Sequence, residues 1–188
     1  MQTRMKIIVI GPSGVGKTAI SNLISGHSQT PSQVYHPTSG VRILELEKEP
    51  PRANRQAGES TIQIELWDCS GDPRYEKCWS AFRKEAVGVI FVYDGEDPRP
   101  DMSNFVANFP QRMGLHPSQC IAFAHYKNSK PKGNVKPPKG IERVSLYETS
   151  MDNTSNILMA FDKLFGMIYS IIMESQEKAE NQIISNRD

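Results

Sequence analysis

The chain has 188 residues, with 22 Lys and Arg against 21 Asp and Glu, for a net charge of +1. That length suits one domain with its own core, and the even charge balance excludes a dedicated nucleic-acid binder, which carries a strong basic excess. With 38% hydrophobic and 23% charged residues, the composition is somewhat polar but not that of a disordered chain.

The first apolar run, Ile7-Ile8-Val9-Ile10, is short, β-branched and continuous, which predicts a strand buried on both faces. Gly11 to Gly16 is a glycine-rich turn. Lys17 to Gly26 reads as a helix with Ile20, Leu23 and Ile24 on one face. The polar stretch Ser25 to His36 reads as loop. Val41 to Leu46 predicts a second strand. Thr61 to Trp67 predicts a third, because Ile62, Ile64 and Leu66 alternate with polar neighbours, as in a half-buried antiparallel strand. The segment between them, Lys48 to Ser60, is long for a hairpin loop.

Val87 to Tyr93 and Cys120 to Ala124 read as further buried strands. Asp101 to Gly114 reads as a helix that Pro110 must break or bend. Lys127 to Gly140 holds five Lys, three Pro and two Gly and no acidic residue, so it is a loop, and its lysines read first as a solvated face. Arg143 to Leu146 predicts a last short strand. Thr154 to Glu174 predicts the final helix, with Ile157, Phe161, Leu164, Phe165, Ile168 and Ile172 toward the core and capping oxygens on Asp152, Asn153 and Thr154. Residues 1–174 then form one domain, and 175–188 a polar tail.

Other classes receive no support. No apolar run approaches the roughly 20 residues of a membrane span. Met1 to Lys6 has no signal-peptide core. Three cysteines (Cys69, Cys78, Cys120) are few and odd in number, and read as reduced thiols. Four scattered histidines lack the spacing of a zinc site.

The turn after the first strand carries the chemistry. Gly11-Pro12-Ser13-Gly14-Val15-Gly16-Lys17-Thr18 matches G-x-x-x-x-G-K-[ST], between a buried strand and a helix. Glycines let the backbone N–H groups of residues 13 to 19 turn toward phosphate oxygens, and the helix N-terminus adds positive potential. Ser13, Gly14, Val15, Gly16, Lys17, Thr18 and Ala19 are therefore the candidate phosphate cradle. Lys17 reaches the β- and γ-phosphates, and the Thr18 hydroxyl ligates Mg²⁺. Asp68, in Asp68-Cys69-Ser70-Gly71, ends a predicted strand and is a second candidate for the metal. Gly71 allows a backbone N–H close to the γ-phosphate. Thr38 is a candidate third oxygen on the ion.

This combination resembles the Ras-like small GTPases over roughly residues 5 to 172. The resemblance implies a P-loop α/β fold: a mostly parallel six-stranded sheet with one antiparallel edge strand and helices on both faces. It also implies that Thr38 lies in the first switch and Gly71 in the second, and that Glu148-Thr149-Ser150-Met151-Asp152 stands where E-T-S-A-K contacts the base. Ser150 and the Met151 backbone would then lie under guanine. His36-Pro37-Thr38-Ser39-Gly40-Val41-Arg42-Ile43-Leu44-Glu45 and Glu65-Leu66-Trp67-Asp68-Cys69-Ser70-Gly71-Asp72, with Cys78-Trp79 beyond, are similar to the Rab-like GTPase family of intraflagellar transport. That family implies GTP or GDP with Mg²⁺, protein partners in transport complex B that include a coiled-coil pair, and a cytoplasmic location at the cilium or flagellum and its base.

The chain departs from the small-GTPase pattern at three places. Asp72 replaces the Gln that orients the attacking water, so Asp72 is the candidate catalytic position and hydrolysis is expected to be slow. Ser13 replaces a common Gly. The guanine-reading N-K-x-D is His125-Tyr126-Lys127-Asn128-Ser129 here: Lys127 remains to cover the base, but Ser129 replaces the Asp, and the lost charged acceptor costs about 1.5–3 kcal/mol of guanine preference. The chain ends without a prenylatable cysteine, and the expectation is recruitment by protein contacts rather than a direct membrane anchor. The alternatives are a cycling GTPase with an activating protein, and a small P-loop kinase, for which no arginine-rich lid is evident.

Overall fold

The computed structural model describes residues 4–27, 37–51, 61–97, 100–127 and 129–185. Most of the two loops expected at 25–36 and 48–60 therefore lies outside the described residues. Six strands form one sheet: β1 (Arg4–Ile10), β2 (Val41–Lys48), β3 (Ile62–Cys69), β4 (Ala86–Asp94), β5 (Cys120–Tyr126) and β6 (Ser145–Ser150). Their order is β2-β3-β1-β4-β5-β6, with β2–β3 antiparallel and every other pair parallel. The expected architecture is thus the observed one.

Hydropathy patterning accounts for the placement. β1 is buried on both faces after Arg4, as a continuous β-branched run requires. β3 alternates, with Ile62, Ile64 and Leu66 inward. One face of the sheet is covered by α1 (Lys17–Ile24) and α5 (Ser155–Ser185), where Ile20, Phe161, Leu164 and Ile168 close over Ile7, Val9 and Ile90. The other face is covered by α2 (Trp79–Arg83), α3 (Ser103–Asn108) and α4 (Pro110–Met113), with Trp79, Phe82 and Phe109 packed on Ile8, Phe91 and Tyr93. Trp79 is core, against Phe105 and Phe109 at ring separations of 5.5 and 5.1 Å. Pro110 splits the predicted helix at Phe109, whose ψ of −89° leaves the helical path.

Four details differ from the sequence expectation. The last strand sits at Ser145–Ser150, not Arg143–Leu146, because Tyr147 must face Phe123 on β5. Segment 72–83, which carried no apolar period, forms a 3-10 turn over Pro73–Cys78 followed by α2. The final helix does not stop at Glu174 but runs on to Ser185. Within that helix, Ser155–Gln182 contains an 18-residue window of mean hydropathy 1.4, long and apolar enough for a span by length and composition, contrary to the expectation that no such run exists. Ile157, Phe161, Leu164 and Ile168 spend that apolarity on the sheet. The three cysteines are unpaired, with Cys69 and Cys120 buried.

Candidate nucleotide site

Parallel pairing of β1 with β3 sets Val9 beside Asp68, so the strand-end carboxylate stands where the phosphate loop begins. The loop then turns into α1 at Gly16, whose φ of 99° is left-handed. A methyl there would also lie 2.6 Å from His125 Cδ2. No side chain caps α1 and its first turn carries no acid, so no side chain competes for the N–H groups at its start.

Lys17 is 6% exposed, and its Nζ donates to Gly11 O at 3.0 Å and Pro12 O at 2.6 Å. Burial lowers its ammonium to about 8, against the opposing pull of Asp68. The Thr18 hydroxyl donates to Asp68 Oδ2 at 2.7 Å and lies 3.0 Å from Thr38 Oγ1. These are the three metal candidates, converged from three separate segments. Asp68 is fully buried and its Oδ1 has no partner. Burial raises its carboxyl above the usual range, countered by the Thr18 hydroxyl, Lys17 and Arg42. Arg42 NH1 stands 3.7 Å from Asp68 Oδ2 and its NH2 donates to Asn22 Oδ1, a link with no signature in the motifs.

Gly71 packs directly on the phosphate loop. A Cβ on it would lie 2.5 Å from Ser13 N and closer still to Gly11 O and Pro12 C. Ser70 N donates to Gly40 O at 2.8 Å, tying this segment to the one carrying Thr38. Asp72 is committed locally. It caps the 3-10 turn by accepting from Arg74 N at 2.9 Å, and its carboxylate holds the Arg74 guanidinium through Nε and NH2. These hydrogen bonds from Arg74 hold the Asp72 carboxyl below the usual range.

On the base side, Lys127 reaches across to donate to Gly14 O at 2.9 Å, and Ser150 and Met151 follow at the end of β6, the first buried and the second exposed. Val15 is buried under the loop; Ser13 is exposed. Ala19 lies in the first turn of α1. Sequence reasoning missed His125. It is 1% exposed, packs on Gly16 and pairs through Nδ1 with Thr149 Oγ1 at 3.1 Å, so it joins the phosphate loop to the base segment. Desolvation, then the charge of Lys127, lowers its pKa below the usual imidazole value. The only signal was its place two residues before Lys127. His125→Ala is expected to cost about 1–3 kcal/mol by urea denaturation, since it orphans the Thr149 hydroxyl. His125→Asn, whose amide offers the same bond, should recover most of that loss.

Such an arrangement defines a P-loop nucleotide-binding domain of Ras-like type. Residues 6–126 match the family model described as Ras of Complex, Roc, domain of DAPkinase. The human Intraflagellar transport protein 22 homolog is 32% identical, with 97% of this chain and 99% of that protein covered. The Xenopus tropicalis homolog is 33% identical over the same shares. The T. brucei IFT22/74/81 GTP-bound crystal structure superposes with a TM-score of 0.71 at 27% identity, covering 93% of this chain and 99% of that one. The T. brucei IFT22 GDP-bound crystal structure gives 0.65 at 26%, covering 90% and 98%. The chain belongs to the intraflagellar transport protein 22 family.

Proposed function

We propose that this chain is a GTP-binding, Rab-like switch subunit of the intraflagellar transport complex, with slow intrinsic hydrolysis. The observation that carries the reading is the convergence of Thr18, Thr38 and Asp68 beside a phosphate loop, with one buried Asp68 oxygen left unpartnered. Hard oxygen donors of this kind suit Mg²⁺, which keeps water and phosphate as its other ligands. Bound there, the ion would neutralise charge on the β- and γ-phosphates. Backbone N–H groups of residues 13–19 and the Lys17 ammonium would hold the same oxygens, while Lys127, Ser150 and the Met151 backbone would enclose the base.

The γ-phosphate would draw Thr38 and Gly71 toward one another through the Ser70–Gly40 bond. That shared movement presents one surface to complex B subunits, for which a coiled-coil pair is the proposed class. The T. brucei relative in a GTP-bound assembly with 74 and 81 supports this. The proposed location is the cytoplasm, the cilium or flagellum and its base, reached by protein contacts without a direct membrane anchor.

On this reading Asp72 takes the motif position of the water-orienting residue, and the engagement of its oxygens by Arg74 supports slow hydrolysis. Purified protein should release GDP or GTP on heating, identified by chromatography. Single-turnover phosphate release should be slow and change less than about threefold in Asp72→Ala, a loss far below that of a true catalytic group. ATP bound as readily as GTP would remove the guanine assignment. Turnover at the rate of an activated small GTPase would remove slow hydrolysis.

A further inference from the structure

The sheet ends at β6, whose one strand neighbour among the described residues is β5; apart from a local Ser150–Asn153 bridge at its end, its outer edge is an unclosed strand. An open groove of about 560 Å³ runs along that edge. Three consecutive residues of β6, Leu146, Tyr147 and Glu148, line it. Neighbouring strand residues point to opposite faces, and here they do: Tyr147 packs with Phe123 and the α5 core, whereas Leu146 packs with the opposite cluster. A cavity touching both faces therefore straddles the edge itself. Met159 of α5, half exposed, forms one wall. Val135 and Pro137 form the other.

The second wall is built, not loose. The Glu148 carboxylate accepts N–H bonds from Lys132 at 2.8 Å, Gly133 at 3.0 Å and Val135 at 3.3 Å. Although desolvation pulls the other way, those three donors hold its carboxyl below the usual range. The groove's own acid is thus spent on fixing the wall. Residues 129–140 contain Lys130, Lys132, Lys136 and Lys139 and no acid. The first three are exposed, and Lys139 faces Asp101 at 4.0 Å.

We propose that the β6 edge is a docking site for an extended acidic segment of a partner protein, which adds to the sheet as a seventh strand. The unpaired edge supplies the main-chain recognition, alternate apolar side chains pack toward Met159 on the α5 face, and the intervening carboxylates point to the other face, where the lysines of 130–136 meet them. The site lies at the opposite end of the sheet from β2 and stops at Glu148, short of Ser150 on the base side, so it is separate from the surface that carries Thr38 and Gly71 and does not rest on it.

The probe is a capped six-residue peptide of alternating Glu and Val, titrated into the ¹⁵N-labelled full chain. The expected result is amide shifts confined to 135–136, 145–148 and 156–159, with affinity that falls as salt rises from about 50 to 500 mM, as screened charge pairs require. Met159→Glu and Lys136→Glu should each weaken binding about tenfold, the first through burial of a charge and the second through repulsion. Both positions are exposed, so nucleotide binding should be unchanged. Equal binding of the Lys-Val counterpart, absence of shifts at millimolar peptide, or pairing of two copies through β6 in its place would each overturn the proposal.

Discussion

Lys17→Met should lose nucleotide affinity by at least about a hundredfold, because two charge-assisted hydrogen bonds of about 1.5–3 kcal/mol each disappear with the ammonium. Met keeps the length and volume, and Lys17 already lies buried in the loop, so the fold should survive. The effect carries a proton signature. Burial holds the unbound Lys17 at about 8. A triphosphate binds the charged form, so complex formation raises that value and takes up a proton. Affinity should therefore be level below pH 8 and decline as pH rises through it, by up to about tenfold per unit. In the unbound protein the sign reverses. Between about 8 and the unfolded value near 10.4, the unfolded chain keeps a proton the folded chain has lost, so the empty fold gains stability across that window. Calorimetric titration with a non-hydrolysable GTP analogue from pH 6.5 to 9.5 reads the first effect, and urea denaturation of the empty protein across pH 8 to 10 reads the second. A flat profile in the native chain would mean that Lys17 is not the phosphate contact. If the native slope persisted in Lys17→Met, the titrating group would lie elsewhere.

What the sequence revealed of this site follows from how local each feature is. The phosphate loop is eight consecutive residues whose glycine and lysine spacing has one chemical use, and Lys17 and Thr18 stand where that spacing put them. Asp68 and Gly71 were readable because a strand end and a glycine two residues after its last residue are both sequence signals. His125 was not, because its meaning lies in contacts with Gly16 and Thr149, which only the folding of three strands brings together. Glu148 reads as part of a base-contact motif, yet its oxygens are taken by the lysine-rich segment sixteen residues and fewer before it. The end of α5 was misplaced for a different reason. Apolar period stops near Met173, but Glu174 to Gln182 is rich in good helix formers, so propensity extends a helix that burial no longer needs. Asp72 shows the same competition at short range: Asp before Pro is a capping signal, and that role commits its carboxylate to Arg74.

Gly71→Ala should abolish most of the distinction between GTP and GDP while leaving GDP binding within about threefold of native, since coupling energies of this kind run to about 1–3 kcal/mol. The reason is steric and backbone-deep. The new methyl would meet Ser13 N at 2.5 Å, with Gly11 O and Pro12 C nearer, and none of these is a flexible side-chain end. Residues 70–78 must then stand off from the loop. Withdrawal pulls on the Ser70–Gly40 hydrogen bond and so on the segment that carries Thr38. GDP lacks the phosphate that this approach would meet, so it should be nearly indifferent to the change. A ligand shifts a two-state element only by the difference in its affinities for the two states. With Gly71 held away, GTP loses its differential contact and about tenfold or more in relative affinity. Titration with GDP and a non-hydrolysable GTP analogue measures the ratio, and amide exchange over residues 72–83 reports whether the analogue still orders that segment. Native discrimination in Gly71→Ala would show that the close approach of Gly71 to the phosphate loop plays no part in the switch. Loss of discrimination with an unaltered melting temperature in GDP would locate the switch in that contact, since a general weakening of the fold would lower both affinities together.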